Sequence, residues 1–371
     1  MKAVILAGGE GTRLRPLTCN LPKPMVPILN RPYLEHLLLR LKQQKMEEVS
    51  ITLSYLPEIV EDFFGTGTSL GLRLSYSIEE YPLGTAGAIK KLEHTLNDTF
   101  AVLNGDIFTD LDLRDAAKFH REKGAIATIV LTPVENPSMY GVVEADASGR
   151  VKRFLEKPGK ADIRTAWVNA GTYILEPQVL QYIPPDEYYM FERGLFPYLL
   201  EQGLPVYCYP SKAYWMDLGT PRNYMRLHRD ILLGETLVQP YGEMKQEGVW
   251  MGLGCRVALD ANIRPPVVLG PGCIVESKVQ IVGPTVIGAD CIVGLGSVVD
   301  NALLWDRVNL GSGVTITGSI LGQNVVIGDN VDAGPDCILA DGVVVGHGNN
   351  LGEGLIVWPD KRLEPNTLSR D

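Results

Sequence analysis

The chain has 371 residues, 45% of them hydrophobic, enough for two or three domains with sizeable cores. Its balance is acidic, 44 Asp and Glu against 34 Lys and Arg with no long run of one sign, which argues against nucleic acid or an anionic membrane as a partner. No stretch has the ~18 uninterrupted apolar residues of a membrane span, the N-terminus lacks the charged and apolar regions of a signal peptide, and the six cysteines form no C-x-x-C pair, so a cytoplasmic protein with reduced thiols is expected.

Residues 2–6 form an apolar run too short for three helical turns, which predicts a buried strand. Gly8, Gly9 and Gly11 follow at once. Three glycines in four residues let the backbone adopt positive φ, approach a ligand closely and point its amides at an anion. Arg13, Arg15 and, after another loop, Lys23 add positive charge where a polyphosphate would lie. The loop is not a Walker loop, because Gly11 is followed by Thr12-Arg13 rather than Lys-Ser/Thr, and it lacks the G-x-G-x-x-G spacing.

Farther on, Leu34, Leu37, Leu38 and Leu41 share one face of a predicted helix over 34–45. Strands are predicted over 49–54, 72–78, 99–103 and 125–131, and helices over 57–64, 85–92 and 113–123. The third of these strands runs into Asn104-Gly105-Asp106. This alternation predicts an α/β domain over 1–232 with a Rossmann-like, mostly parallel sheet whose ligands bind beyond the carboxyl ends of the strands. Short strands over 141–144, 151–155 and 168–175 read as an insertion that closes one side of the site. Residues 233–250 are polar, poor in periodicity and read as a linker.

From there to residue 371 the period changes. Apolar residues recur every six positions: Val257, Ile263, Leu269, Val275, Ile281, Ile287, Val293, Val299. One residue is lost before Leu304, Leu310 and Ile316, and another before Leu321, Ile327, Ala333, Leu339, Val345, Leu351 and Val357. Glycine often follows. This hexapeptide repeat predicts a left-handed parallel β-helix over 251–371, with three hexads to a coil. Cys255, Cys273 and Cys291 lie one coil apart and are expected as a column of interior fillers. The polar tail from Asp360 is left as a cap.

The stretch Leu6-Ala7-Gly8-Gly9-Glu10-Gly11-Thr12-Arg13-Leu14-Arg15-Pro16-Leu17-Thr18, with Lys23-Pro24 after it, resembles the signature of sugar-1-phosphate nucleotidylyltransferases. The resemblance implies that this loop holds a nucleoside triphosphate, through Leu6, Ala7, Gly8, Gly9, Gly11 and Thr12, with Arg13 and Lys23 as the catalytic cations. It places the nucleobase at Gly84-Thr85-Ala86 and adds Asn104 and Gly105 to the nucleotide site. Asp106, and Asp217 in Trp215-Met216-Asp217-Leu218-Gly219-Thr220, match the family's Mg²⁺ ligands; a hard cation held by two carboxylates and phosphate oxygens is sound chemistry. Glu156-Lys157-Pro158 and Val168-Asn169-Ala170-Gly171 imply sugar contacts from Glu156, Asn169 and Gly171 and a phosphate contact from Lys157. Gly141 implies a backbone contact to the sugar.

The resemblance covers the whole chain and is strongest to mannose-1-phosphate guanylyltransferases, which make GDP-mannose from GTP and mannose 1-phosphate. One departure is Arg193-Gly194 after Glu192, where that branch commonly has Lys-Asp. Glucose-1-phosphate uridylyl- and thymidylyltransferases share most of these motifs. A non-catalytic nucleotide-sugar-binding subunit is a rival reading, but it should have lost Arg13, Lys23 or an aspartate. A β-helix acyltransferase is another, with His347 as its sole candidate base. The β-helix is expected to assemble a homo-oligomer. Every motif precedes residue 222, so truncation near Tyr241 is expected to keep some activity.

Overall fold

The apolar run after Lys2 becomes the centre of a sheet. In the computed structural model, which describes residues 1–368, β1 (Lys2–Leu6) lies between two parallel neighbours, β2 (Glu48–Leu53) and β4 (Phe100–Asn104). β3 (Arg73–Ile78) extends the parallel set beyond β2. Ala3, Val4 and Ile5 are fully buried, as an uninterrupted apolar strand covered on both faces should be. β5 (Ile107–Thr109) lies outside this sheet and pairs antiparallel with another short strand, β11 (Trp215–Asp217).

The strands expected as an insertion belong to the same sheet as β1. β9 (Trp167–Leu175) pairs antiparallel with β4 through Thr172–Leu175 and with β6 (Ala127–Pro133) along much of its length. Its register on β6 shifts between Asn169 and Tyr173, and Val168 reaches β7 (Gly141–Ala145). β8 (Val151–Glu156) then pairs antiparallel with β7, and β10 (Val206–Pro210) pairs parallel with β6. The parallel core is as expected, but the sheet as a whole is mixed. The physical reason is β9: with nine residues it is long enough to bridge both halves.

The helices fall where the apolar spacing puts them: α1 (Tyr33–Gln43), α2 (Pro57–Phe64), α3 (Gly84–Lys90) and α4 (Leu113–Lys123). α4 is stopped at both ends by side chain and backbone: the Asp112 carboxylate accepts from Arg114 N at 2.9 Å, and Gly124 takes φ 56°. On its buried face His120 Nε2 lies 3.1 Å from Glu176 and Nδ1 2.8 Å from Thr128 Oγ1. The Glu176 carboxylate can only accept, so Nε2 donates and Nδ1 accepts from the threonine. Burial, opposed by Glu176, lowers the imidazole pKa below 6.5. The folded state therefore binds fewer protons than the unfolded one, and this contribution is complete above pH 6.5 and is lost as pH falls through the folded pKa. In urea melts between pH 7.5 and 5, wild type is expected to lose stability faster than His120→Gln, by at most about 1.4 kcal/mol per pH unit. Parallel curves would refute it.

The chain divides into two compact units, one of residues 1–10, 22–24 and 34–218 and the other of residues 11–21, 25–33 and 219–371. The first contains the sheet described above, with α1 from Leu34 on, α2 to α4 and a further helix, α5 (Phe196–Glu201). The second contains α6 (Pro221–Leu232), whose start is capped by Thr220 Oγ1 accepting from Asn223 N at 3.2 Å.

The C-terminal part of the second unit is the left-handed parallel β-helix, three parallel sheets stacked coil on coil. Leu269 pairs with Ile287, Ile287 with Leu304, Leu304 with Leu321, Leu321 with Leu339 and Leu339 with Val357. The two shorter coils, Ile287 to Leu304 and Leu304 to Leu321, are where the six-residue count loses a residue. The interior is an apolar column that includes these positions. Cys255 Sγ donates to Gly270 O, Cys273 Sγ to Gly288 O and Cys291 Sγ to Trp305 O at 3.0, 3.0 and 3.1 Å, so each thiol ties its coil to the next.

Two details differ from expectation. The expected linker ends in a hairpin, β12 (Glu243–Gln246) with β13 (Val249–Met251), and β13 already pairs with Val267–Leu269. β12 covers an edge that would otherwise be open to pairing. The polar tail is not a separate cap: Arg362–Leu363 pairs with Val344–Val345, and the buried Asn349 Oδ1 accepts from Thr367 N and Leu368 N. Residues 369–371 lie outside the described residues. Among the described residues no helix is long and apolar enough to cross a membrane.

Candidate active site

The carboxyl ends of the four parallel strands bring the first set of expected residues together. Past β1, Ala7 N donates to Thr52 O at 3.0 Å, and Gly8 O accepts from Ser54 Oγ, just past β2. A Cβ on Gly8 would stand 3.2 Å from Glu79 Oε1, just past β3, so glycine is fitted closely there. Gly9 has open space where a Cβ would be. Past β4, Gly105 N donates to Leu6 O at 2.7 Å, and a Cβ on Gly105 would meet that same oxygen at 2.7 Å. Gly105 thus joins two strand ends, a packing reason for a residue that the resemblance gave to the nucleotide.

Glu79 was not singled out in the sequence. It is buried, accepts from Leu83 N at 3.1 Å, and burial raises its pKa above the usual carboxylate value. The signal was present: it is the residue after a predicted parallel strand, much as Gly8 and Asp106 follow theirs.

Asp106 and Asp217 occupy adjacent short strands. In the pairing of β11 with β5, Asp217 stands opposite Ile107, and Leu218 N donates to Asp106 O at 3.0 Å. Lys23 Nζ lies 2.9 Å from Asp106 Oδ2; the lysine side chain is 9% exposed and the aspartate 37%. Among the described residues no group of three or more His, Cys, Asp or Glu side chains could enclose a metal. Two carboxylates on neighbouring strands are the donor set of a cation that takes its remaining ligands from phosphate oxygens and water, so Asp106 and Asp217 fit Mg²⁺.

A second cluster gathers from β9, the start of α3 and the turn Phe191–Leu195. Asn169 Nδ2 donates to Tyr173 OH at 2.8 Å, and Tyr173 OH donates to Glu192 Oε1 at 3.1 Å. Thr85 Oγ1 donates to Glu192 Oε2 at 3.1 Å and accepts from Phe191 N at 2.9 Å. Burial and then Glu192 raise the pKa of the half-buried Glu156. Two carboxylates held among fixed donors suit a ligand rich in hydroxyls. Gly141 is close-fitted too: a Cβ would meet Phe154 Cζ at 2.8 Å and Glu156 Oε2 at 3.0 Å. Gly171 takes φ 68°, and its missing Cβ leaves room for the Asn104 side chain, whose Oδ1 is buried without a hydrogen-bond partner among the described residues. Lys157 is exposed, with φ 46° and its N donating to Tyr140 O at 3.2 Å.

Glu192 and Tyr173 are the residues of this cluster that the sequence did not assign. Glu192 lies in the first positions of a π-helical turn, Phe191–Leu195, a local winding frequent at functional sites and invisible to a period count. The Arg193-Gly194 departure has a structural reason: a Cβ on Gly194 would lie 2.5 Å from the Tyr189 ring. The segment before it also occupies the expected base-binding stretch. Tyr189 O accepts from Ala86 N and Gly87 N, each at 3.0 Å, and lies 2.7 Å from where a Cβ on Gly84 would be. Two amides at this helix start are therefore already taken.

The rest of the glycine loop belongs to the second unit. Gly11 takes φ 65° and starts the one-turn helix Thr12–Leu14. Its carbonyl accepts from Leu14 N and from the buried Thr18 Oγ1, both at 2.9 Å. Thr12 and Arg13 are exposed. The Arg13 guanidinium lies against Gly219, where a Cβ would come within 2.6 Å of Nη2. His347, in the same unit, lies 3.4 Å from the exposed Asn366 Nδ2.

Comparison with known proteins agrees with this layout. Residues 246–351 match the EIF2B subunit epsilon LbH domain, and residues 2–233 match the Nucleotidyl transferase family. A UTP--glucose-1-phosphate uridylyltransferase of Synechocystis sp. is 39% identical over 86% of this chain and 87% of its own length. A mannose-1-phosphate guanylyltransferase of Mycobacterium tuberculosis is 43% identical over 62% of this chain, a match spanning 65% of that protein, just under two thirds. The solved structure of HddC from Yersinia pseudotuberculosis complexed with GMP-PN superimposes with a TM-score of 0.53 at 30% identity, over 61% of this chain and 96% of that one. Since the family match takes in the glycine loop, both aspartates and the Glu192 cluster, the chain belongs to the nucleotidyl transferase family of enzymes.

Proposed function

We propose that this protein transfers a nucleotidyl group from a nucleoside triphosphate to a sugar 1-phosphate, releasing pyrophosphate, with GTP and mannose 1-phosphate as its substrates and GDP-mannose as its product. The observation that carries the reaction is the Lys23–Asp106 pair at 2.9 Å, beside a strand end where Gly9 leaves open space. The nucleophile is a phosphate oxygen of the sugar phosphate, anionic at neutral pH, so no general base is needed. The oxygen attacks the α-phosphorus, the new P–O bond forms as the bond to the β-phosphate oxygen breaks, and pyrophosphate leaves in line. Arg13 and Lys23 offset the negative charge that gathers on the phosphates. Mg²⁺, held by Asp106 and Asp217, supplies further charge neutralisation when bound. Glu156, Asn169 and Glu192 bind sugar hydroxyls, Lys157 the sugar phosphate, and Asn104 Oδ1 offers an acceptor to the nucleotide.

The 43% identity of the catalytic region to a mannose-1-phosphate guanylyltransferase favours guanylyl transfer. A second reading, uridylyl transfer to glucose 1-phosphate, is favoured by the 39% match over 86% of the chain. Pyrophosphate release measured with GTP, UTP, dTTP and ATP against mannose and glucose 1-phosphate decides between them. The expected result is a preference for GTP with mannose 1-phosphate of at least about tenfold in kcat/KM. A preference for UTP with glucose 1-phosphate selects the second reading, and no release with any pair overturns both. We place the enzyme in the cytoplasm as a homo-oligomer. The six free thiols support the former, and the long, regular faces of the β-helix the latter.

A further inference from the structure

The stretch from Gly11 to Tyr33 carries Thr12, Arg13, Arg15 and Lys23, yet it has no long element of its own. It holds two one-turn helices, Thr12–Leu14 and Lys23–Met25, and a hairpin in which Pro27–Ile28 pairs with Arg31–Pro32. Its internal bonds, such as Leu17 N to Leu14 O, Cys19 N to Pro16 O and Tyr33 N to Val26 O, close single turns or the short hairpin, so the course of the whole stretch rests on bonds from outside it.

Within the second unit they are fixed by α6 and the β-helix. Tyr224 OH donates to Pro27 O and accepts from Trp305 Nε1 at 3.1 Å. His228 Nε2, one turn along α6, accepts from Leu29 N at 3.3 Å. Asn30 Nδ2 donates to Ile287 O at 2.8 Å. The Asn20 side chain hydrogen-bonds the Asp341 carboxylate. Ile287, Trp305 and Asp341 end or follow strands of one sheet of the β-helix, which includes Thr285–Ile287, Leu303–Leu304 and Ile338–Leu339. Tyr224 is 1% and Trp305 6% exposed. An indole at the surface can donate to water, whereas this one is buried and gives its only donor to a tyrosine that holds the strap.

We propose, on the reading of the activity given above, that the β-helix is a positioning element for triphosphate binding: through Trp305 and Tyr224 it fixes, within the second unit, the strap that carries Arg13. Neither Trp305 nor Tyr224 touches substrate. Each acts through the Pro27 to Asn30 backbone, which follows Lys23 by a few residues.

The test uses the full chain and the variants Trp305→Phe and Tyr224→Phe, singly and together. Each keeps an aromatic ring and removes one polar group. The measurements are amide hydrogen exchange over residues 25–33, with residues 338–357 as internal control, equilibrium affinity for Mg²⁺·GTP, and steady-state kinetics. Exchange over 25–33 is expected to speed up and triphosphate affinity to fall by about 5- to 10-fold, as for loss of one buried hydrogen bond, while the control segment and the KM for sugar phosphate stay unchanged. The double variant should match Tyr224→Phe alone, since both substitutions break one chain of bonds. Unchanged exchange over 25–33 overturns the proposal. So does faster exchange with unchanged triphosphate affinity and kcat, which would make the contacts structural only. Should one variant fold poorly, the other carries the test. A wild-type protein that releases no pyrophosphate from any substrate pair would sink the assigned activity, while exchange and affinity would still decide the role of Trp305.

Discussion

Asp106→Asn is expected to lower kcat about a hundred- to a thousand-fold, the range seen when one preorganised electrostatic partner of a transition state is removed. The reasoning starts from the strand ends. β4 delivers Asp106 to a place where Lys23 Nζ is 2.9 Å away and where Leu218 N fixes its carbonyl. Asparagine has the same shape, so no cavity opens, and the backbone contact persists. Only charge is lost. The ion pair itself is partly exposed and contributes less than about 1 kcal/mol to stability, so the melting temperature should hardly move. What is removed, on the proposed reading, is a carboxylate that would hold Mg²⁺ against the phosphates. The measurement is kcat as a function of Mg²⁺ concentration. Partial recovery at high Mg²⁺ fits the ligand role; near-normal turnover at low Mg²⁺ would exclude Asp106 as a ligand.

What the sequence made legible, and what it hid, follows from the range of the interactions. The strand 2–6, the glycines after it and the helix starts are short-range features, set by apolar runs, positive φ and capping residues. The β-helix was legible to the level of individual coils, because a six-residue period repeats the same local demand until one residue is dropped, and Leu304 and Leu321 mark both drops. The mixed sheet was not legible. Whether 168–175 forms a separate insertion or joins β4 depends on pairing between residues far apart in sequence, such as Thr172 with Leu103. The role of Glu192 was hidden for a similar reason. Its partners Thr85 and Tyr173 stand on other elements, and its own turn is π-helical. Glu79 could have been found by asking which side chain follows each parallel strand.

Least legible of all were the bonds that tie residues 27–30 to α6 and the β-helix, and they change what truncation should do. Ending the chain after Tyr241 is expected to lower kcat/KM for the triphosphate by at least about a hundred-fold, although every family motif remains. The cut runs through the second unit, not beside it. It removes Ile287, Trp305 and Asp341, the partners of Asn30, Tyr224 and Asn20. An aromatic side chain of this size buries about 150–250 Å², worth about 4–6 kcal/mol at ~25 cal/mol per Å², and each lost hydrogen bond adds about 0.5–1.5 kcal/mol. Those sums approach the roughly 5–15 kcal/mol that holds a whole domain folded. The strap from Gly11 to Tyr33 would then sample several conformations. A displacement of about 1 Å in a group that positions a reacting centre is enough for a hundred-fold loss. The cluster of Asn169, Tyr173 and Glu192, proposed above to bind the sugar, lies wholly in the first unit, so KM for the sugar phosphate should change much less than the triphosphate parameters. Steady-state kinetics and light scattering on both chain lengths separate the two roles open to the β-helix. A truncated chain that stays monodisperse, drops in oligomeric state and keeps kcat/KM within about threefold of the full chain would leave assembly as the function of the β-helix and end its claim to the active site.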